Sequence, residues 1–134
     1  MKSLWSKTWV SSKQPRKQRK YRYNAPLHVK HKFLSALLSK DLRKKHGIRN
    51  FPLRSKDKVK IMRGKFKGVI GEVEKVLLKK GKVMVKGAEI KKEEGRIIKY
   101  PITPSNTMII ELNLSDSKRK KAVEKVKSAK GGNE

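Results

Sequence analysis

Hydrophobic positions change their period along this chain. From Asp57 onward apolar residues alternate with polar ones, first at Val59 and Ile61, then at Val69, Gly71 and Val73, then at Val83 and Val85, then at Ile90. Period two sends successive side chains to opposite faces, so this stretch predicts half-buried strands. Turn chemistry separates the sets at Gly64 to Gly68, Lys79 to Gly81 and Glu93 to Gly95, the spacing of a small antiparallel sheet or barrel. After a loop from Pro101 to Asn106, Met108, Ile110, Leu112 and Leu114 alternate again and predict a last strand that closes the barrel.

Upstream the spacing is helical. Asn24 before Ala25 and Pro26 reads as an N-cap, opening a short helix that carries Leu27, Phe33, Leu34, Leu37 and Leu38. Ser39 reads as a second cap, with Asp41 in the first turn, Arg43, Lys44 and Lys45 in the last, and Gly47 as the stop, an order that suits the helix dipole. Two short helices joined at Ser39 are thus expected over 25 to 47. Downstream, Ser115 and Asp116 cap a helix from Ser117 to Lys130, ended by Gly131 and Gly132. Its apolar stripe, Ala122, Val123 and Val126, is so narrow that the helix is expected to fray unless something docks on it.

Charge sets the class of partner. Of 134 residues, 38 are Lys or Arg and 11 are Asp or Glu, a formal net charge of +27. Residues 1 to 56 carry +16 of this, 57 to 114 carry +7 and 115 to 134 carry +4. A compact chain with this much charge repels itself, which implies a polyanionic partner in the working state. Membrane-surface binding asks for a broad apolar helix face that the thin C-terminal stripe does not supply. Nucleic acid is the reading that remains. The aliphatic runs are only three residues long, as at Val76 to Leu78, so no membrane insertion is expected, and Met1 to Val10 has no continuous apolar core of the kind that directs secretion. The absence of cysteine excludes disulfide scaffolds and cysteine-ligated metals.

No catalytic arrangement stands out. His28 and His31 lack a third ligand of matching kind nearby, and with His46 they read as solvated or RNA-facing. Gly64, Gly68 and Gly71 fit neither a Walker loop nor a dinucleotide fingerprint. Gly64 and Gly68 suit a turn, while Gly71 inside a strand marks a bulge, a bend or a close backbone approach. Glu72 and Glu74 read as a solvated strand face. We therefore expect no enzyme, no cofactor and no metal.

Two segments combine cations with aromatics. Lys13, Arg16, Lys17, Arg19, Lys20 and Arg22 surround Tyr21 and Tyr23, so cations are at hand for phosphates and rings for unpaired bases. With apolar residues this sparse, residues 1 to 23 are expected to be disordered in isolation. The second segment is Arg63-Gly64-Lys65-Phe66-Lys67-Gly68, a glycine-flanked turn between two strands whose backbone can approach a phosphate closely; Phe66 either stacks on a base or folds back onto the barrel end.

Asp57-Lys-Val-Lys-Ile-Met-Arg-Gly-Lys-Phe-Lys-Gly-Val-Ile-Gly-Glu-Val73 resembles a KOW motif, found in ribosomal proteins and in transcription elongation factors. Tyr23-Asn-Ala-Pro26, Leu38-Ser-Lys-Asp-Leu-Arg43 and Pro101-Ile-Thr-Pro-Ser-Asn106 look like flanking segments of the universal ribosomal large-subunit protein L twenty-four family, archaeal and eukaryotic type, called L twenty-six in eukaryotes. The resemblance spans about residues 13 to 121. It implies a mainly-β fold, a small SH3-like antiparallel barrel with short N-terminal helices, a basic N-terminal arm and a C-terminal helix. The expected division is an RNA-binding arm over 1–23, a helical segment and linker over 24–56, the barrel over 57–114 and a basic helix or tail over 115–134.

It further implies a cytoplasmic constituent of the large subunit that binds the 5′ domain of large-subunit rRNA and helps initiate assembly. Its neighbours would be other large-subunit proteins and, near the polypeptide exit tunnel, nascent chains or targeting factors. Carried over by position, the loop Arg63 to Gly68 and the bend at Gly71 contact rRNA and the arm up to Tyr23 runs into it, with Lys30, Arg54, Ser105 and Asn106 completing the candidate contacts. Thr103 departs from the family, where His commonly precedes the Pro-Ser pair. Met1 to Ser12 and the tail beyond Lys121 match less well and receive no role. The alternative is a KOW-bearing transcription or elongation accessory protein, which the basic arm disfavours.

Overall fold

Strand β3 (Lys58–Ile61) lies at the centre of the sheet, with Val59 and Ile61 fully buried as the alternation predicts. The computed structural model describes residues 5–130, so the predicted stop at Gly131 and Gly132 lies outside the described residues. Around β3, β1 (Ser35–Leu38), β2 (Asn50–Pro52), β4 (Ile70–Leu77), β5 (Lys82–Lys91), β6 (Ile97–Ile102) and β7 (Thr107–Glu111) are arranged in the order β2-β1-β7-β3-β4-β5-β6. Register shifts in the β4–β5 and β5–β6 ladders mark bulges, which bend strands and let a sheet curl. A 3₁₀ turn, Pro104–Asn106, leads β6 into β7, which returns to pair with β3. The result is a mainly-β, barrel-like fold. Its core joins Val59, Ile61, Val73, Val83, Val85 and Ile109 to Leu34, Leu38 and Leu53, each fully buried aliphatic contributing about 1.5–3 kcal/mol.

Several local expectations are corrected. The first predicted helix is cut in two: α2 covers Leu27–Phe33, and the following residues form β1. Leu34, Leu37 and Leu38 have helical spacing, but Leu34, Ala36 and Leu38 also have strand spacing, and these three are the buried ones. Backbone partners decided between the two periods, because β1 pairs antiparallel with β2 and parallel with β7. The sheet is therefore mixed rather than wholly antiparallel. Asn24 ends a helix instead of capping one; it closes α1 (Pro15–Asn24), and Pro26 occupies the cap position of α2. Over residues 15–23 the expectation of disorder gives way to that helix, and residues 1–4 of the arm lie outside the described residues.

α3 (Lys40–His46) follows the prediction: the Leu42 backbone N–H donates to Ser39 Oγ at 3.4 Å, and Gly47 is left-handed at φ 65°. The predicted loop from Pro101 contains the end of β6, an edge strand whose residues are mostly exposed and so lack alternation. In β7 the buried residues are Thr107 and Ile109 rather than Met108 and Ile110, because the run Met108-Ile109-Ile110 is apolar on both faces and carries no phase.

The C-terminal helix, α4 (Ser117–Lys130), is capped by Asp116, which accepts from the Lys118 N–H at 3.1 Å. It docks through Arg119 as well as the thin stripe, of which Val123 alone is buried. Arg119 donates to both carboxylate oxygens of Asp57, each at 2.7 Å, and to the carbonyls of Asn113 and Pro52 at 2.8 and 3.0 Å. Asp57 also accepts from the backbone N–H groups of Arg54 and Asn113, both at 2.9 Å. Buried charges persist when paired and hydrogen-bonded in this way.

Candidate nucleic-acid interface

A helix as polar as α1 has little reason to hold to the protein, since none of its residues is fully buried. What holds it is Tyr21. Its ring stacks on Trp9 with centroids 4.0 Å apart, lies 5.5 Å from Trp5 and meets Phe33 edge-on at 6.3 Å. Such pairs each add about 0.5–1.5 kcal/mol beyond area burial. Trp5 and Trp9, which the resemblance gives no role, thus pack the start of the arm onto α1, and Tyr21 against Phe33 of α2 leads the cluster outward. Arg16, Lys17, Arg19, Lys20 and Arg22 remain exposed.

Two residues later the environment reverses. Tyr23 is 81% exposed, with Lys30 Nζ over its ring at 5.9 Å. Together with Arg19, Arg22 and Phe33 it forms one wall of a groove of about 590 Å³. The opposite wall is the β4–β5 turn, Leu78 to Gly81, and the 3₁₀ segment at Pro104 and Ser105. The groove collects Arg19, Arg22, Tyr23, Lys30 and Ser105 from the expected set; Lys13, Arg16, Lys17 and Lys20 do not line it. It adds Lys79 and Lys80, which sequence reasoning treated only as a turn. The signal was present, because Lys79-Lys80-Gly81-Lys82 repeats the cation-and-glycine pattern of the KOW loop.

Thr103 lines both this groove and a second cavity, of about 160 Å³, bounded by Arg63, Gly64, Lys65, Phe66, Tyr100 and Asn106. Here Gly64 and Gly68 have φ of +92° and +91°, a backbone that L side chains rarely adopt. Lys67 N–H closes the turn on the Gly64 carbonyl at 3.1 Å, and Met62 N–H bonds the Asn106 carbonyl at 2.7 Å. Phe66 folds back: it packs against the core and lies 5.5 Å from the Tyr100 ring. Arg63, Lys65 and Lys67 are left exposed. Thr103 accepts a hydrogen bond from Lys82 Nζ at 2.5 Å, so the position that departs from the family helps fix a cation that lines the second cavity.

Two expected contacts have structural duties. A Cβ on Gly71 would lie 2.1 Å from the Lys86 carbonyl oxygen, so the close backbone approach expected there comes from β5 itself. Arg54 pairs with Asp116 at the start of α4 and lines a separate cavity of about 240 Å³ with His31 and Arg119. Burial there, with the positive charge of Arg54 and then Arg119, lowers the His31 pKa below its ordinary value. The Arg54 hydrogen bond, then that from the Lys118 backbone, lowers the Asp116 pKa. His28 is exposed, and His46 ends α3.

A family model described as covering the eukaryotic L twenty-six and archaeal L twenty-four ribosomal proteins matches residues 12–126. The chain belongs to this family. It is a ribosomal protein of the large subunit, and the family match decides against the elongation-factor reading of the KOW motif. The match also runs past Lys121 to residue 126, further than the resemblance suggested, so the docked part of α4 with Arg119 and Val123 lies inside the family region. Among the described residues no helix is long and apolar enough to cross a membrane.

Proposed function

We propose that this ribosomal protein binds the 5′ domain of large-subunit rRNA directly, through the two cavities that meet at Thr103, and helps initiate subunit assembly. The observation that carries this is the groove between α1, α2 and the β4–β5 turn, where Arg19, Arg22, Lys30, Lys79 and Lys80 converge beside an exposed aromatic ring. Cations neutralise phosphate by releasing counterions, and the ring offers a stacking face. The arm over 1–23 and the loop Arg63 to Gly68 supply most contacts, the segment 24–56 positions the arm, and 115–134 adds charge beyond its docked start. Family resemblance supplies the rest of the proposal: the 5′ domain as the target, the role in assembly, and a position on the outer face of the subunit near the exit tunnel, beside other large-subunit proteins and within reach of nascent chains or targeting factors.

Chemical footprinting of protein-free large-subunit rRNA, with and without the protein, tests this reading. Protection confined to the 5′ domain is the expected result. Diffuse protection over all domains overturns it. Affinity should fall steeply with salt, by a slope of roughly 0.7–0.9 for each phosphate neutralised; a flat titration is equally fatal.

A further inference from the structure

Resting on that reading, we propose that the groove between the N-terminal helices and the β4–β5 turn holds an unpaired RNA segment, one base stacked on Tyr23 and its flanking phosphates held by Arg19, Arg22, Lys30, Lys79 and Lys80. Two observations favour a single strand over a duplex, and a third favours a polyanion of this kind in the groove. The first is shape: the site is walled on two sides and has a volume of about 590 Å³. That suits a splayed nucleotide, which can enter a cleft, whereas the convex rim of a duplex meets only its edges.

The second is the contrast between two tyrosines two residues apart. Tyr21 spends its ring face on Trp9 at 4.0 Å, while Tyr23 leaves 81% of its surface in water. An aromatic ring gains nothing from such exposure, and Lys30 Nζ at 5.9 Å steadies it. Phe33, 44% exposed, lines the same wall and extends the apolar surface that a base requires.

The third is the distribution of acids. Three surface cations elsewhere do have carboxylate partners, Lys58 on Glu111, Lys99 on Glu74 and Arg54 on Asp116. No carboxylate lines the groove, and its five cations form no ion pair among the described residues. Five like charges brought together from separate chain segments repel in the free protein, and successive phosphates of one strand relieve that repulsion.

The test compares binding of the full chain to single-stranded oligoadenylate and to an RNA duplex of equal phosphate count. Wild type should prefer the single strand. Tyr23→Ala should weaken oligoadenylate binding by about 5- to 150-fold, the range for loss of one base–aromatic stack, and leave duplex binding unchanged; Tyr23→Phe should restore it. Lys79→Ala with Lys80→Ala should lower the salt slope by roughly 0.7 per phosphate released, more than the charge-matched pair Lys17→Ala with Lys20→Ala outside the groove. Equal oligoadenylate affinity in wild type and Tyr23→Ala overturns the proposal, as does an equal slope change in the two lysine pairs. Footprints on whole rRNA separate the two readings: with the 5′ domain still protected, only the groove assignment falls, and with no such protection in wild type the rRNA reading falls as well.

Discussion

The two basic helices at the ends of the chain are held in place by opposite means. α1 offers its charges to solvent and holds on through the Tyr21 ring against Trp5, Trp9 and Phe33. α4 turns one of its charges inward, so that Arg119 becomes a structural residue tying the helix to Asp57, Asn113 and Pro52. A cation taken out of water must be fully partnered, and once partnered it no longer serves a polyanion. An aromatic anchor leaves every cation of the helix available. On the proposed reading α1 thus keeps all its cations for RNA while α4 gives up Arg119, a difference that composition alone does not show.

The comparison breaks most sharply at the buried pair. Arg119→Leu strands the Asp57 carboxylate and should cost about 3–5 kcal/mol, a fall in Tm of roughly 10 °C or more; a melting curve close to that of wild type would show the pair to be dispensable. Replacing both, as Arg119→Leu with Asp57→Leu, should recover only part of the loss, because the N–H groups of Arg54 and Asn113 then lose their acceptor.

Gly71→Ala comes next. Its new Cβ collides with the Lys86 backbone, so β4 and β5 must separate, at about 1–3 kcal/mol by the usual cost of overpacking. An unchanged chemical-denaturation midpoint would show that the strands can yield. Tyr21→Ala should release α1 for about 0.5–1.5 kcal/mol per lost ring pair while leaving the barrel's melting untouched. Trypsin cleavage within 15–24 and Trp fluorescence report on this, and Tyr23→Ala, with its exposed ring, should leave both readouts as in wild type.

The smallest effect concerns pH at the α4 anchor. His31, beside Arg54 and Arg119, has its pKa lowered from 6.5 by burial and then by those charges. The unfolded chain thus takes up the proton more readily, so stability is full above 6.5 and declines as pH falls through the lower folded value. Asp116, lowered mainly by the Arg54 hydrogen bond, adds a second loss at more acid pH as its carboxylate is protonated. Melting temperature against pH should slope downward on the acid side of neutrality, and His31→Gln should flatten the part nearest neutral; identical profiles for the two proteins would remove His31 from this account.

Much of the barrel was legible because alternation, glycine turns and one face of burial agree in β3, β4 and β5, and the KOW loop was legible because glycine spacing leaves few backbones open. Ser39 and Gly47 bound α3 for local reasons that sequence states directly. Where two periods overlapped, as at Leu34 to Leu38, or where both faces were apolar, as at Met108 to Ile110, the pattern held no decision.

Sequence by itself determined the class of partner, the strand-rich middle and the basic, aromatic arm, since these follow from charge, period and residue type along a line. Tertiary structure decided which tyrosine anchors and which stays exposed, that Lys79 and Lys80 face Arg19 and Arg22 across a groove, and that Arg119 is a buried partner rather than one more surface cation. Those facts depend on segments far apart in the chain meeting in space, and on which charge finds a carboxylate there: Asp57 stands 62 residues from the arginine that it holds.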